Sequence, residues 1–172
     1  MIFKNIKAGL LSLTFCHLFL IHGCIEITMT GGSIPAEAKT YSVQYFQNSA
    51  SYVQPVLSQK LTDAIKDKIM SQSKLTLTEE MGDLHFEGEI TAYTVAPLAI
   101  TGDDQAATNR LTIRINVRFY NKFKEEDNFE SSFARYEDFS SDVNLADIED
   151  QLMDAIIEKL VDDLYNKALV NW

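Results

Sequence analysis

The chain has 172 residues, 46% of them hydrophobic, and carries 15 Lys and Arg against 25 Asp and Glu for a formal net charge of −10. That length suits one domain with a sizeable core plus short appendages. The acidic balance excludes a nucleic-acid binder built on a basic stripe and a general electrostatic grip on anionic headgroups.

The N-terminus reads as a signal. Lys4 and Lys7 supply a positive start, Ala8 to Ile21 an apolar run, and Ile21-His22-Gly23-Cys24 a small-residue cleavage site ending in cysteine. At about 1.5 Å per helical residue the run spans roughly 21 Å, short of a hydrocarbon core of about 30 Å. The order is that of a bacterial lipoprotein signal: Gly23 lets the peptidase close on the backbone, and Cys24 offers a thiol to a diacylglycerol. An ordinary secretory signal with an incidental cysteine is the competing reading. On the lipoprotein reading, residues 1–23 are removed, Cys24 is lipidated, and 24–39 forms a Gly- and Thr-rich tether to a single domain over 40–172.

Cleavage removes two lysines and no acid, which leaves 149 residues with 13 basic and 25 acidic side chains, a balance of −12. It also removes Cys16, His17 and His22. With Cys24 acylated there is no free thiol for a disulfide, a thiolate metal site or a cysteine nucleophile. A zinc site or a Ser-His-Asp triad would have to pass through His85, the one remaining histidine. No metal, cofactor or catalytic residue is expected.

Thr40 to Gln47, with Tyr41, Val43, Tyr45 and Phe46, predicts a first strand. Pro55 suits a first helical turn, and Leu57, Leu61, Ala64, Ile65 and Ile69 then recur at helical spacing. Leu75 and Leu77 predict a short strand before Met81-Gly82-Asp83 turns the chain. Leu84 to Val95 alternates, with Leu84, Phe86, Ile90 and Ala92 on one face and His85, Glu87, Glu89 and Tyr93 on the other. Arg110 to Tyr120 alternates more strongly, and Phe129 to Tyr136 closes a three-strand meander. Asn144 is placed to cap a helix whose stripe of Ile148, Leu152, Ile156, Leu160 and Leu164 continues to about Val170.

The sum is an α+β sandwich, two helices packed on one face of a mixed four-stranded sheet in the order strand-helix-strand-strand-strand-helix. Three features stand out on it. Glu87 and Glu89 share a strand face beside His85, the one arrangement from which acid-base chemistry could be built. Arg110, Arg114 and Arg118 lie at a spacing of four on one strand face, able to bind phosphates in bidentate fashion or to pair across strands with Glu87, Glu89 and Glu130. The loop from Ala96 to Asn109 carries Pro97, Leu98 and Ile100 and is long enough to act as a docking tip.

Several stretches together resemble the lipopolysaccharide-assembly lipoprotein LptE family, in its Bacteroidetes-type branch. They are Gly31-Gly32-Ser33-Ile34-Pro35 with Lys39-Thr40, the strand from Val43 to Phe46, and Asp83-Leu84-His85-Phe86-Glu87-Gly88-Glu89-Ile90-Thr91. Asn109-Arg110-Leu111-Thr112-Ile113, Phe129-Glu130-Ser131-Ser132-Phe133 and Asn166-Lys167-Ala168-Leu169 complete the set. The resemblance implies helices on a four-stranded sheet and a non-enzymatic lipoprotein on the periplasmic face of the outer membrane. It further implies a place inside the β-barrel of an LptD-type partner, and a part in passing lipopolysaccharide to the outer leaflet. A membrane-anchored binding or scaffold module of another envelope complex is the alternative, and an anchored hydrolase using Glu87 and His85 is a third.

Overall fold

The computed structural model describes residues 34–98 and 107–170, so Cys24, the signal segment and Ile100 lie outside the described residues. The elements in chain order are β1 (Thr40–Val43), β2 (Gln47–Asn48), α1 (Leu57–Gln72), β3 (Thr76–Leu77), β4 (Leu84–Pro97), β5 (Thr108–Asn121), a 3-10 turn (Glu125–Asp127), β6 (Phe129–Ser140) and α2 (Leu145–Leu169). The α+β class is the expected one, but the sheet has six strands rather than four. Its order is β3-β1-β4-β5-β6, with β2 also paired to β4.

One extra strand, β2, comes from a break in the expected first strand; the other, β3, is the short strand expected around Leu75 and Leu77. β1 and β2 both run parallel to β4, Val43 opposite Phe86 and Gln47 opposite Glu89. The chain takes four steps between these points where β4 takes three. The surplus turns Phe46 into the core, where it is fully buried. Its backbone N–H donates to Thr62 Oγ1 at 3.1 Å, and that hydroxyl donates in turn to the Ser58 carbonyl at 2.8 Å. Gly88 makes the space: a Cβ there would lie 2.7 Å from the Phe46 ring and 2.3 Å from the Asn116 carbonyl oxygen.

The helices form as their spacing predicts and cover one face of the sheet. Leu57, Leu61, Ile65 and Ile69 of α1 and Met153, Ile156, Leu160 and Leu164 of α2 meet Leu84, Phe86, Ile90, Ile113, Ile115, Val117 and Phe119 in one core. Ile148 and Leu152, nearer the start of the expected stripe, are only partly buried. Asn144 caps α2 by accepting the Ala146 N–H at 3.3 Å. Asp147 in the first turn and Lys167 in the last oppose the helix dipole as expected. Tyr165 ties the two helices by donating to the Gln72 carbonyl at 2.9 Å. Among the described residues, no helix is long and apolar enough to cross a membrane.

In β4 the alternation read from the sequence fails halfway. Ile90 pairs with Ile115 but Ala92 pairs with Arg114, so Thr91 is an extra, bulged residue. Beyond it the faces exchange. Tyr93 enters the core at 4% exposure, while Ala92, expected inside, lies on the polar face. The Tyr93 hydroxyl finds the Glu149 carboxylate at 2.5 Å, and burial, then this bond, push its pKa above the ordinary tyrosine value.

Replacing Gly88 by alanine should cost about 1–3 kcal/mol, the usual range for overpacking a filled core. Urea denaturation followed by circular dichroism measures it, and a substitution as stable as the wild type would contradict the Phe46 contact.

Candidate functional site

The sheet face opposite the helices gathers every charged residue singled out from the sequence. β4 contributes His85, Glu87, Glu89 and, past the bulge, Ala92; β5 contributes Arg110, Arg114, Asn116, Arg118 and Tyr120; β6 contributes Glu130, Ala134, Tyr136 and Asp138. Register places Arg118 between Glu87 and Glu130, Arg114 between Ala92 and Ala134, and Arg110 between Ala96 and Asp138. At about 3.3 Å per residue the arginines stand roughly 13 Å apart along the strand.

Two of the three are occupied. Arg118 Nε donates to Glu87 Oε1 at 2.5 Å, and this bond holds the Glu87 carboxyl below its ordinary pKa. Arg110 binds Asp138 with two bonds of 2.7 and 2.9 Å, and its guanidinium lies 3.5 Å over the Tyr136 ring. The pair holds Asp138 low and Arg110 high. Both arginines are thus paired across strands, with Asp138 rather than Glu130 as the second partner. Glu130 instead accepts from Asn116 Nδ2 at 2.9 Å, and Glu89 from Ser49 Oγ at 2.6 Å.

Arg114 differs. It is exposed, both of its cross-strand neighbours are alanines, and its guanidinium has no hydrogen-bond or ion-pair partner among the described residues. The bulge produces this setting, because an unshifted ladder would set Thr91, not Ala92, beside Arg114. The arrangement presents one open guanidinium, flanked by methyl groups, in the middle of a face where Arg110 and Arg118 are ion-paired and Glu89 and Glu130 are hydrogen-bonded to neutral side chains. Such a group can take a phosphate or carboxylate without first breaking an ion pair. No spacing rule reveals it, since the bulge that supplies Ala92 leaves no mark in the alternation.

His85 sits between two open clefts. One, of about 280 Å³, is lined by Ser42, Gln44, Leu77, Met81 and His85; the other, of about 430 Å³, by Met81, Asp83, His85, Tyr120 and Lys122. A pocket beside the histidine thus exists, but the chemistry does not follow. Ser42 is 5% exposed, and its Oγ accepts the Gly82 N–H at 2.8 Å while bonding His85 Nδ1 at 2.7 Å. The hydroxyl is thus engaged on both sides in pinning the turn to β1. His85 Nε2 is 3.7 Å from Glu87, too long for a hydrogen bond, and Glu87, held ionised by Arg118, is unsuited to donate a proton at neutral pH. Among the described residues, no group of acidic, histidine or cysteine side chains could hold a metal ion.

The docking loop is described only at its stem. Pro97 ends β4 opposite Asn109, and Leu98 N–H donates to the Thr108 carbonyl at 2.8 Å. At the other end of the sheet Asp83 locks the chain's entry. Its carboxylate accepts from the backbone N–H groups of Lys39 (3.0 Å) and Thr40 (3.2 Å) and from Thr40 Oγ1 (3.1 Å). Lys122 adds an ion pair at 3.3 Å. These bonds, the Lys39 N–H first, bring its pKa down to about 2.

The fold is a small α+β sandwich with one helix-covered face and one polar face. The sequence profile of the lipopolysaccharide-assembly LptE family matches residues 38–168. This chain belongs to that family, and its role lies in lipopolysaccharide assembly. No curated protein sequence matches it. Among solved structures it is similar to a minor lipoprotein from Acinetobacter baumannii, 11% identical, the match covering 76% of this chain and 91% of that one at a TM-score of 0.50. It is also similar to the rare lipoprotein B from Shewanella oneidensis, 11% identical, covering 75% and 90% at a TM-score of 0.45. The first of these likenesses speaks to the fold.

Asp83 generates a pH prediction. Its pKa is depressed on folding, so its stabilisation is present above the unfolded carboxylate value near 4 and is lost as pH falls toward about 2. Asp83→Asn should melt below the wild type at pH 7, and the gap should close between pH 4 and pH 2. A gap that stays constant over that range would show that the carboxylate's charge is not what holds β1.

Proposed function

We propose that this chain is a non-enzymatic, lipid-anchored subunit of an outer-membrane lipopolysaccharide translocon, seated in the lumen of an LptD-type β-barrel. The family match over residues 38–168 carries the reading. In it, residues 1–23 direct export, the acylated Cys24 holds the domain on the periplasmic side of the outer membrane, and residues 24–39 are the tether. The absence of an acidic run after Cys24, which begins Ile25-Glu26-Ile27, fits retention on that side.

Two structural features support the barrel. The polar sheet face is the kind of surface that meets a lumen wall, where inward-facing residues are polar. The long β4–β5 ladder ends at Pro97 and Leu98, and on this reading the loop that follows, which carries Ile100 in the sequence, enters the barrel first. Arg114 supplies the contact to glycolipid: its open guanidinium suits the phosphorylated sugars of lipopolysaccharide, while Arg110 and Arg118 hold the face in shape through Asp138 and Glu87.

The decisive measurement is lipopolysaccharide binding by the wild type, Arg114→Ala and Arg110→Ala. Arg114→Ala should weaken binding roughly tenfold, in keeping with the loss of a hydrogen bond to a charged group, with Arg110→Ala affected less. Equal binding by all three would remove the arginines from the function. Separately, radiolabelled palmitate should enter the wild type and not Cys24→Ala, and gentle detergent extraction should bring down a barrel partner. A label that persists in Cys24→Ala, or a stable monomer with no barrel, would count against the anchor and the plug respectively.

A further inference from the structure

The two edges of the sheet are treated very differently. On one side it ends in β3, two residues long, which offers little for another strand to pair with. On the other it ends in β6, twelve residues long. Natural proteins blunt exposed edges with short strands, proline, bulges or inward charges. β6 has neither proline nor glycine, its twelve register pairs with β5 run from Thr108↔Ser140 to Phe119↔Phe129 without a shift, and of these devices it carries only inward charges, Arg135 and Glu137, both engaged by α2. Among the described residues, no strand pairs with its outer side.

We propose that this edge is a self-recognition surface on which a second copy of the chain pairs antiparallel, with Tyr136 of each copy on the two-fold axis. The observation is a palindrome of charge and shape in Phe133-Ala134-Arg135-Tyr136-Glu137-Asp138-Phe139. About Tyr136, Arg135 faces Glu137 of the second copy and Glu137 faces its Arg135. Phe133 faces Phe139, and Ala134 faces Asp138. A two-fold interface is self-complementary by construction, so each favourable pair occurs twice.

The same charges reject neighbouring registers. Side chains stay on their own face only when the axis passes through a residue position. Moving it to Arg135 sets that arginine against its own copy, and moving it to Glu137 does the same with two carboxylates. Directly opposed like charges are destabilising. Arg135 and Glu137 are also held at the edge already: Arg135 reaches Asp163 of α2 at 2.7 Å, and Glu137 is paired with Lys159 of the same helix. Pairing across the axis would join these into a network of eight charges.

Sedimentation equilibrium of the detergent-solubilised full chain tests this. The wild type should show a concentration-dependent dimer. Arg135→Glu, which sets Glu against Glu across the axis, should weaken it about tenfold. The double variant Arg135→Glu with Glu137→Arg reverses both signs and should restore it to within about threefold. A wild type that stays monomeric, or a double variant no better than the single, overturns the proposal. Disulfide trapping provides a reading that does not depend on altered ion pairs. Tyr136 is 47% exposed, and Tyr136→Cys should cross-link to its counterpart. Ser131→Cys, about 33 Å from its own copy in this register, should not. Equal cross-linking at the two positions would exclude the register.

Discussion

Because Ile90 pairs with Ile115 and Ala92 with Arg114, Thr91 has no opposite number, and the alternation of β4 restarts one residue out of phase beyond it. Two consequences follow on opposite faces. Inside, Tyr93 rather than Ala92 fills the layer between sheet and helices, and its hydroxyl reaches Glu149 near the start of α2. Tyr52 stacks on the same ring with centroids 5.5 Å apart, so the loop before α1 is held by the same side chain. Outside, a methyl group takes the place beside Arg114 that a larger residue would have filled. One inserted residue thus joins the packing of both helical ends to the openness of the polar face.

That dependence also marks where the sequence could be read and where it could not. β5 was legible because its alternation is unbroken from Arg110 to Tyr120, and α2 because Asn144, Asp147 and Lys167 sit where the free N–H and C=O groups of a helix need them. The break at Phe46 was not legible: Val43, Tyr45 and Phe46 look like one strand until Gly88, forty residues on, provides the space that draws Phe46 inward. The site was half legible. Equal spacing put the three arginines on one face, but which were paired depended on cross-strand register, and register past Thr91 depended on the bulge. His85 and Glu87 shared a face as expected, yet their partners, Ser42 and Arg118, come from other strands and turn a candidate catalytic pair into a structural pin.

Charge is distributed in the same selective way. The acids that give the chain its net charge are concentrated on α2, and many are matched: Lys60 meets Asp154 at 2.7 Å, Lys68 meets Asp162 at 2.5 Å and Arg135 meets Asp163 at 2.7 Å. On the polar face Arg110 and Arg118 are neutralised by direct neighbours. An exposed ion pair adds little to stability once solvent screening and side-chain ordering are counted. Its effect here is selectivity, since a satisfied guanidinium must give up a carboxylate before it takes a phosphate. Arg114 has nothing to give up. On the proposed reading, in an acidic protein whose broad field repels anions, binding through this one open cation of the polar face would favour a ligand with a localised phosphate and an apolar or neutral remainder, which is how a phosphorylated glycolipid differs from a nucleic acid.

The two proposals place different demands on the sandwich, and the demands meet at β6. A barrel lumen offers side chains but no free strand edge, because its own strands are closed on one another. Inside a barrel the β6 edge would have to be satisfied by side chains or water. Outside it, a second copy offers what the edge lacks, a row of backbone donors and acceptors in a register selected by Arg135 and Glu137. On the two proposals together, self-pairing belongs to the domain before a barrel has received it, and insertion exchanges the second copy for the lumen wall. The long edge, free of proline and bulge, then has a reason: it is covered until the partner arrives and is open to release, because a symmetric pair held along one strand leaves the helix-packed core of each copy untouched.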